Sequence, residues 1–290
     1  MVSDSQQSDT TYVVDAENAA EMARLHRQGR LLTQHMGGVF PASIDLSSIR
    51  HVLDIACGPG EWVLATASMY PEMQVTGIDI SHIMIAYAIA QAQQQEMKNA
   101  TFQIMSAQEQ LAFPDNAFDL VNARFLFAFM TPDQWPKLMQ ECMRITRPGG
   151  IILLTESESP LTNSAATERL CALSVEAMKR AGLLFSPDGR HVGITPMLGK
   201  FFRNVGCINI QYKSHVIDCS AGTQAHQDVF NNFMAGYKLV QPYLVKMGVT
   251  TQEEVEGLYQ RLLEEQQSPD FCEVWFYLSV WGQKPEEEAS

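Results

Sequence analysis

The sequence predicts an α/β fold built on a doubly wound, mainly parallel sheet, and three observations predict it. Residues 51–62 read as a buried strand, a glycine turn and the start of a helix. Between residues 51 and 157, five short apolar stretches alternate with helical ones, the pattern of βαβ units. In the first of them, Val52, Leu53 and Ile55 form the apolar run typical of a parallel strand covered on both faces.

The glycine turn organises the rest. Gly58 and Gly60 let the backbone turn sharply and leave no Cβ between main chain and ligand. The helix that follows presents unpaired N–H groups and the positive end of its dipole. Asp54 places a carboxylate at the end of the strand, and Cys57 reads as a small turn residue offering its backbone. A dinucleotide fingerprint G-x-G-x-x-G would need a third glycine where the chain has Val63. The frame that fits is acidic-x-small-x-Gly-x-Gly: Asp54, Ala56, Gly58, Gly60. An alanine at position 56 suits this turn if its φ is negative.

Composition narrows the partners. With 290 residues and 46% hydrophobic content, the chain can form one large domain or a domain with insertions. The formal net charge of −13 argues against nucleic acid and against a polybasic membrane anchor, leaving a small molecule as the expected partner. No apolar run reaches the ~20 residues of a membrane span, and the polar N-terminus is not a secretory signal. The six cysteines are scattered, with no C-x-x-C pair. They read as free thiols of a cytoplasmic protein, and no metal site is expected.

Taken in order, residues 1–11 are expected to be a disordered tail and residues 15–36 a helix carrying Arg24, Arg27 and Arg30 along one side. After a helix over 62–69, the second strand ends in Asp79, 19 residues beyond Gly60, the place where an acid takes both ribose hydroxyls. Ser81 caps a helix over 82–95. A third strand covers 101–105. The fourth starts at Phe118 and delivers Asn122 to Phe125 to the ligand edge of the sheet. Phe125, Phe127 and Phe129 either line an apolar pocket or pack beneath a lid. A helix begins at Thr131-Pro132, and a fifth strand at 151–155 ends in Glu156, either a general base or amine anchor or a surface carboxylate. A helix over 162–181 leads to a long loop at 185–196, where His191 is a candidate base because an imidazole titrates near neutrality. A helix over 197–205 and a strand over 208–216 follow. Two amphipathic helices, 224–247 and 251–267, carry an aromatic face of Phe230, Phe233, Tyr237 and Tyr243. That face would cap the substrate or join two subunits. A last strand covers 271–285.

The frame at Asp54 to Gly60, the D-x-S-x-x-M run from Asp79 to Met84, Phe118-Asp119-Leu-Val after Pro114, Arg147-Pro-Gly-Gly and the closing Trp281-Gly-Gln-Lys-Pro285 occur in one order. That series resembles class I S-adenosylmethionine-dependent methyltransferases of the UbiE-like small-molecule type. It covers residues 50–157 strongly and 196–285 in layout. The resemblance implies a Rossmann-like sheet of seven strands with the last antiparallel, plus helical cap insertions. The chain would divide into an N-terminal helical cap (12–45), a cofactor-binding core (46–160), a lid insertion (161–195) and the end of the sheet (196–285). The last of these contains a helical insertion at about 222–267, and an acidic tail (286–290) follows.

The cofactor implied is S-adenosylmethionine, released as S-adenosylhomocysteine. It would be held by Asp54, Ala56, Cys57, Gly58 and Gly60, with Asp79 and Ile80 at the ribose and Met84 against the adenine. Ser106 stands where the family has Asp for the adenine amino group, with Ala107 and Gln108 beside it. Asn122 and Arg124 lie at the sheet edge, and Tyr12, Arg24 and Met36 come from the N-terminal segment across the cofactor mouth. The activity implied is in-line methyl transfer to oxygen, nitrogen or carbon of a small apolar or aromatic acceptor, with secondary metabolism as one setting and a second copy of the chain as a candidate partner. Two alternatives stay open: the same fold running a different reaction, such as a cyclisation, and a non-catalytic partner subunit.

Overall fold

The computed structural model describes residues 14–286. Tyr12, the expected tail 1–11 and residues 287–290 lie outside them. Helix α1 (Ala19–His35) starts at Asn18, whose side chain accepts the N–H groups of Ala20 and Glu21. The first half of the sheet is β1 (His51–Ile55), α2 (Glu61–Met69), β2 (Gln74–Asp79), α3 (His82–Gln94) and β3 (Ala100–Ile104). Ser81 caps α3 by accepting from the Met84 N–H. Next come β4 (Phe118–Arg124), a 3-10 turn (Leu126–Ala128), α4 (Trp135–Ile145), β5 (Thr146–Ser157) and β6 (Leu161–Thr162). The chain ends with α5 (Ala165–Arg180), α6 (Thr195–Asn204), β7 (Ile208–Asp218), α7 (His226–Lys246), α8 (Gln252–Glu265) and β8 (Glu273–Gln283).

The strands run β3-β2-β1-β4-β5-β8, with β7 on the outer side of β8. β1 to β5 pair in parallel, and β8 is antiparallel to both β5 and β7. The expected antiparallel last strand is therefore present, between its neighbours rather than at the rim. The two-residue β6 adds an eighth strand that takes up the side of β8 where β5 ends. Helix α4 begins at Trp135, with Pro136 rather than Pro132 in its first turn. Residues 131–134 form a separate turn, tied by the Thr131 N–H to the Gln134 side chain at 2.8 Å.

The sheet is covered on both faces. Leu53, Ile55, Val121, Ile152 and Leu154 pack on one side with Trp135 and Phe202, and Val52, Leu120 and Leu153 on the other with Trp62. A further core around Leu170, Leu173, Leu244 and Leu258 joins α5, α7 and α8 into a helical cap, and α1 packs on α7. No helix among the described residues is long and apolar enough to cross a membrane.

Candidate active site

The carboxyl ends of β1, β2 and β4 open into a cleft of about 390 Å³, covered by α1 and walled by α5, α7 and β8. On its floor the chain takes left-handed φ at Ala56 (55°), Gly58 (53°) and Gly60 (80°). Ala56 is thus not at the negative φ anticipated. Its Cβ is held in a region that costs an L-residue roughly 1–2 kcal/mol. What holds the turn is hydrogen bonding to β2: the Cys57 N–H donates to the Ile78 carbonyl at 2.9 Å and the Gly58 N–H to Asp79 Oδ2 at 2.8 Å. A Cβ added at Gly58 would stand 3.7 Å from Met84 Sδ and 4.0 Å from Leu25 Cδ1. Only a bare backbone leaves that slot between α3 and α1 open.

Asp79 also accepts the Ser81 N–H at 2.9 Å. Burial pushes its carboxyl up, and the backbone bonds pull it back. Each carboxylate oxygen keeps lone-pair capacity beyond these bonds, enough for a ribose diol. Ile80, Met84, Ser106, Ala107 and Gln108 line the same end of the cleft. The Ser106 hydroxyl accepts the Gln108 N–H at 3.2 Å, and the Gln108 side chain donates to the Phe129 carbonyl at 3.2 Å.

Next to the turn lies a cluster of charges. Asp54 is buried and receives the Asn122 amide at 2.7 Å; burial raises its carboxyl to about 7 against the pull of Arg124 and Asn122. Glu61, from the first turn of α2, is likewise raised by burial to about 7, and faces His26 Nδ1 of α1 at 3.3 Å. Arg124 faces Asp54 and Glu61 together. Across the cleft, the guanidinium of Arg24 is bound to buried Glu21 at 2.6 Å and to Gln28. Acids and guanidinium groups interleaved in this way suit a zwitterion such as an amino-acid end, better than a phosphate.

The other half of the cleft is aromatic. Phe125 sits in the left-handed region at φ 60°, ψ 36°, which a bulky residue rarely adopts. Its N–H donates to the Thr155 carbonyl at 3.0 Å, and the next two N–H groups, of Leu126 and Phe127, donate to Glu156 at 2.8 and 3.4 Å. The turn pinned this way presents Phe125, Phe127 and Phe129 to the cleft.

Glu156 therefore faces neither the cleft, as a base or amine anchor would, nor the solvent, as a surface carboxylate would. It has no exposed surface, lies behind the lining and holds the 3-10 turn. Burial raises its carboxyl to about 8, from an ordinary 4.5. The native state then binds more protons than the unfolded chain between those values, so this group loses stability as pH rises through the window. Glu156→Gln cannot ionise. Between pH 5 and 8, the wild type should lose stability relative to this variant in thermal unfolding; parallel pH profiles would contradict the assignment.

His191 is exposed and does not line the cleft. Val192 and Ile194 are buried, so alternation along the segment turns His191 outward. The loop is not a free lid either, because Glu158 accepts the N–H groups of Gly193 (3.0 Å) and Thr195 (3.1 Å). Met36 follows the end of α1, packs toward Leu32 and also lies off the cleft. Gly60 and Asn122 stand behind the lining and support it. The structure adds residues that the sequence reading passed over: Glu61, Glu21 and Gln28 on the α1 side of the cleft, and Trp275 and Tyr277 of β8 at the far wall. The alternation Glu273-x-Trp275-x-Tyr277 along a strand was the available signal.

Fold and cleft define a doubly wound α/β protein with a cleft at the carboxyl edge of its sheet. Residues 52–150 match the family described as a methyltransferase domain. Over those residues the chain is similar to S-adenosylmethionine-dependent methyltransferases of class I. It is 32% identical over 120 residues to a demethylmenaquinone methyltransferase of Lactiplantibacillus plantarum, covering 41% of this chain and 50% of that one. The chain spans about half the length of the curated relatives it matches. Among solved structures it is similar to the YcgJ protein of Bacillus subtilis (TM-score 0.53, 18% identity, 90% of this chain and 99% of that one). It is also similar to phosphoethanolamine N-methyltransferase 2 of Haemonchus contortus in complex with S-adenosyl-L-methionine (TM-score 0.51, 18% identity, 89% and 52%).

Proposed function

We propose that the chain transfers the methyl group of S-adenosylmethionine to a small, apolar, ring-bearing acceptor. The observation that carries this is one cleft with two unlike halves: a glycine turn beside Asp79 at one end, and an aromatic wall at the other. When bound, the cofactor supplies a sulfonium-activated methyl group. Asp79 would hold the ribose and Met84 the adenine face, while Asp54, Glu61, Arg24 and Arg124 would orient the amino-acid end. Phe125, Phe127 and Phe129 would place the acceptor, and α1 and α7, closing over the cleft, would exclude water. Holding two reactants in line and dry accounts for much of such a reaction.

The lining offers hydroxyl and thiol groups of Ser157, Ser159, Cys171, Tyr237 and Tyr277 near the acceptor half. Burial pushes Cys171 up to about 11 and Tyr237 and Tyr277 well above the usual phenol range. These groups stay protonated and donate hydrogen bonds, so they stabilise an oxygen that arrives as a phenolate or enolate. The names of the demethylmenaquinone methyltransferase relatives agree with a ring acceptor. The test is incubation with S-adenosylmethionine deuterated in its methyl group and a panel of hydroxylated arenes, β-dicarbonyl compounds and amines. A labelled product with equimolar S-adenosylhomocysteine is expected from the acidic oxygen or carbon acceptors. A changed acceptor skeleton without transfer of label would favour the cyclisation alternative.

A further inference from the structure

We propose that the ring wall of Phe233, Trp275 and Tyr277, with its indole fixed by Glu273 and Phe233, is what the acceptor packs against, so that this half of the cleft selects a planar conjugated ring over a branched aliphatic chain of equal carbon number. The inference rests on the methyl-transfer reading and names the specificity-determining and positioning residues of that site.

Glu273, Trp275 and Tyr277 alternate along β8 and so share one face of the sheet. Trp275 and Tyr277 line the cleft, and Glu273 lies one step back, buried. The Trp275 indole N–H donates to Glu273 Oε1 at 2.8 Å. The second carboxyl oxygen is buried and makes no hydrogen bond among the described residues. Burial raises this carboxyl, and the indole bond works against that. A buried acid with half its capacity unused is costly for the fold, and the contact it keeps is the one that fixes the indole.

The ring plane is fixed from the cap as well. Phe233 of α7 stacks on Trp275 with centroids 3.9 Å apart and planes within 7°. Tyr277 lies 6.3 Å further along at 18°, and Phe125 meets Tyr277 edge-on at 5.8 Å. Rings from β8, α7 and the turn after β4 thus form one wall, and its central indole is held at both its N–H and a face. A flat ring gains the offset or edge-on geometry that aromatic pairs favour, in addition to buried area. A branched chain gains area alone. A loose indole would adapt to either ligand, and a fixed one discriminates.

The test uses the full chain saturated with S-adenosylhomocysteine, titrated with 2-naphthol or with 3,7-dimethyloctan-1-ol. The expected result is at least about tenfold tighter binding of 2-naphthol. Trp275→Leu should erase the preference, Glu273→Ala should cut it about fivefold, and Glu273→Gln should restore it, because the amide oxygen still accepts the indole N–H. S-adenosylhomocysteine affinity should stay unchanged in all three, which reports an intact core. Trp275→Phe is a second variant: with a ring but no N–H, it should keep part of the preference and become insensitive to Glu273→Ala. Equal binding of the two alcohols, no binding of 2-naphthol, a preference surviving in Trp275→Leu, or a Trp275→Phe protein still sensitive to position 273 would each overturn the proposal. Failure of the unaltered chain to bind S-adenosylhomocysteine would overturn the methyl-transfer reading itself.

Discussion

Gly60→Ala should destabilise the protein by roughly 2–5 kcal/mol, the largest effect expected of any single methyl group in the glycine turn. Two costs add. The residue has φ 80°, in the left-handed region, where a Cβ costs roughly 1–2 kcal/mol. The added carbon would also lie 2.7 Å from a ring carbon of Phe102 and 2.8 Å from the Ala88 Cβ, so β3 or α3 must move away from α2. Overpacking of that kind costs roughly 1–3 kcal/mol. Against a typical stability of about 5–15 kcal/mol, this is a large share. Gly58→Ala provides the contrast: its φ is 53°, but nothing lies closer than 3.7 Å. That variant should lose only the conformational part while its methyl intrudes on the cofactor slot. Urea unfolding of both variants separates packing from binding, and a loss under about 1 kcal/mol for Gly60→Ala would refute the packing argument.

Asp79→Ala should weaken S-adenosylmethionine binding by a factor of about 10² to 10⁴. The carboxylate holds Gly58 at 2.8 Å and Ser81 at 2.9 Å, and would also accept both ribose hydroxyls. Hydrogen bonds to a charged partner contribute roughly 1.5–3 kcal/mol each, and each 1.4 kcal/mol is about tenfold in affinity. The released Gly58 N–H would also free the turn to move. Asp79→Asn keeps one acceptor oxygen and should fall between the wild type and Ala. Calorimetric titration of the three proteins tests the order. Wild-type affinity in Asp79→Ala would remove Asp79 from the site.

The floor of the cleft was legible because its chemistry is local. A turn that needs left-handed backbone announces itself through Gly58 and Gly60, and an acid 19 residues on fits only one place at a sheet edge. Ala56 shows the limit of that logic: the turn's hydrogen bonds to Ile78 and Asp79 hold an alanine where its own preference would not put it. The order of the strands depends on pairing between distant segments, such as Leu153 with Trp281, and the family resemblance supplied only their number and the antiparallel last strand. Glu156 was misread for a similar reason. An acid at a strand end looks the same in sequence whether it faces the cleft or takes two N–H groups from a turn thirty residues earlier. His191 was misread because an isolated imidazole carries no sign of which way its loop faces. Trp275 and Tyr277 were read only as part of the last strand, 271–285. Their place at the site depends on β8 lying between β5 and β7, under the cap.

Whether the cleft is an S-adenosylmethionine site is tested most directly by calorimetric titration of the purified chain with S-adenosylhomocysteine, alongside NAD. The predicted result is one-to-one, micromolar binding of S-adenosylhomocysteine and none of NAD. Absence of S-adenosylhomocysteine binding, or equal binding of NAD, would contradict it and leave the aromatic cleft to a partner-subunit role.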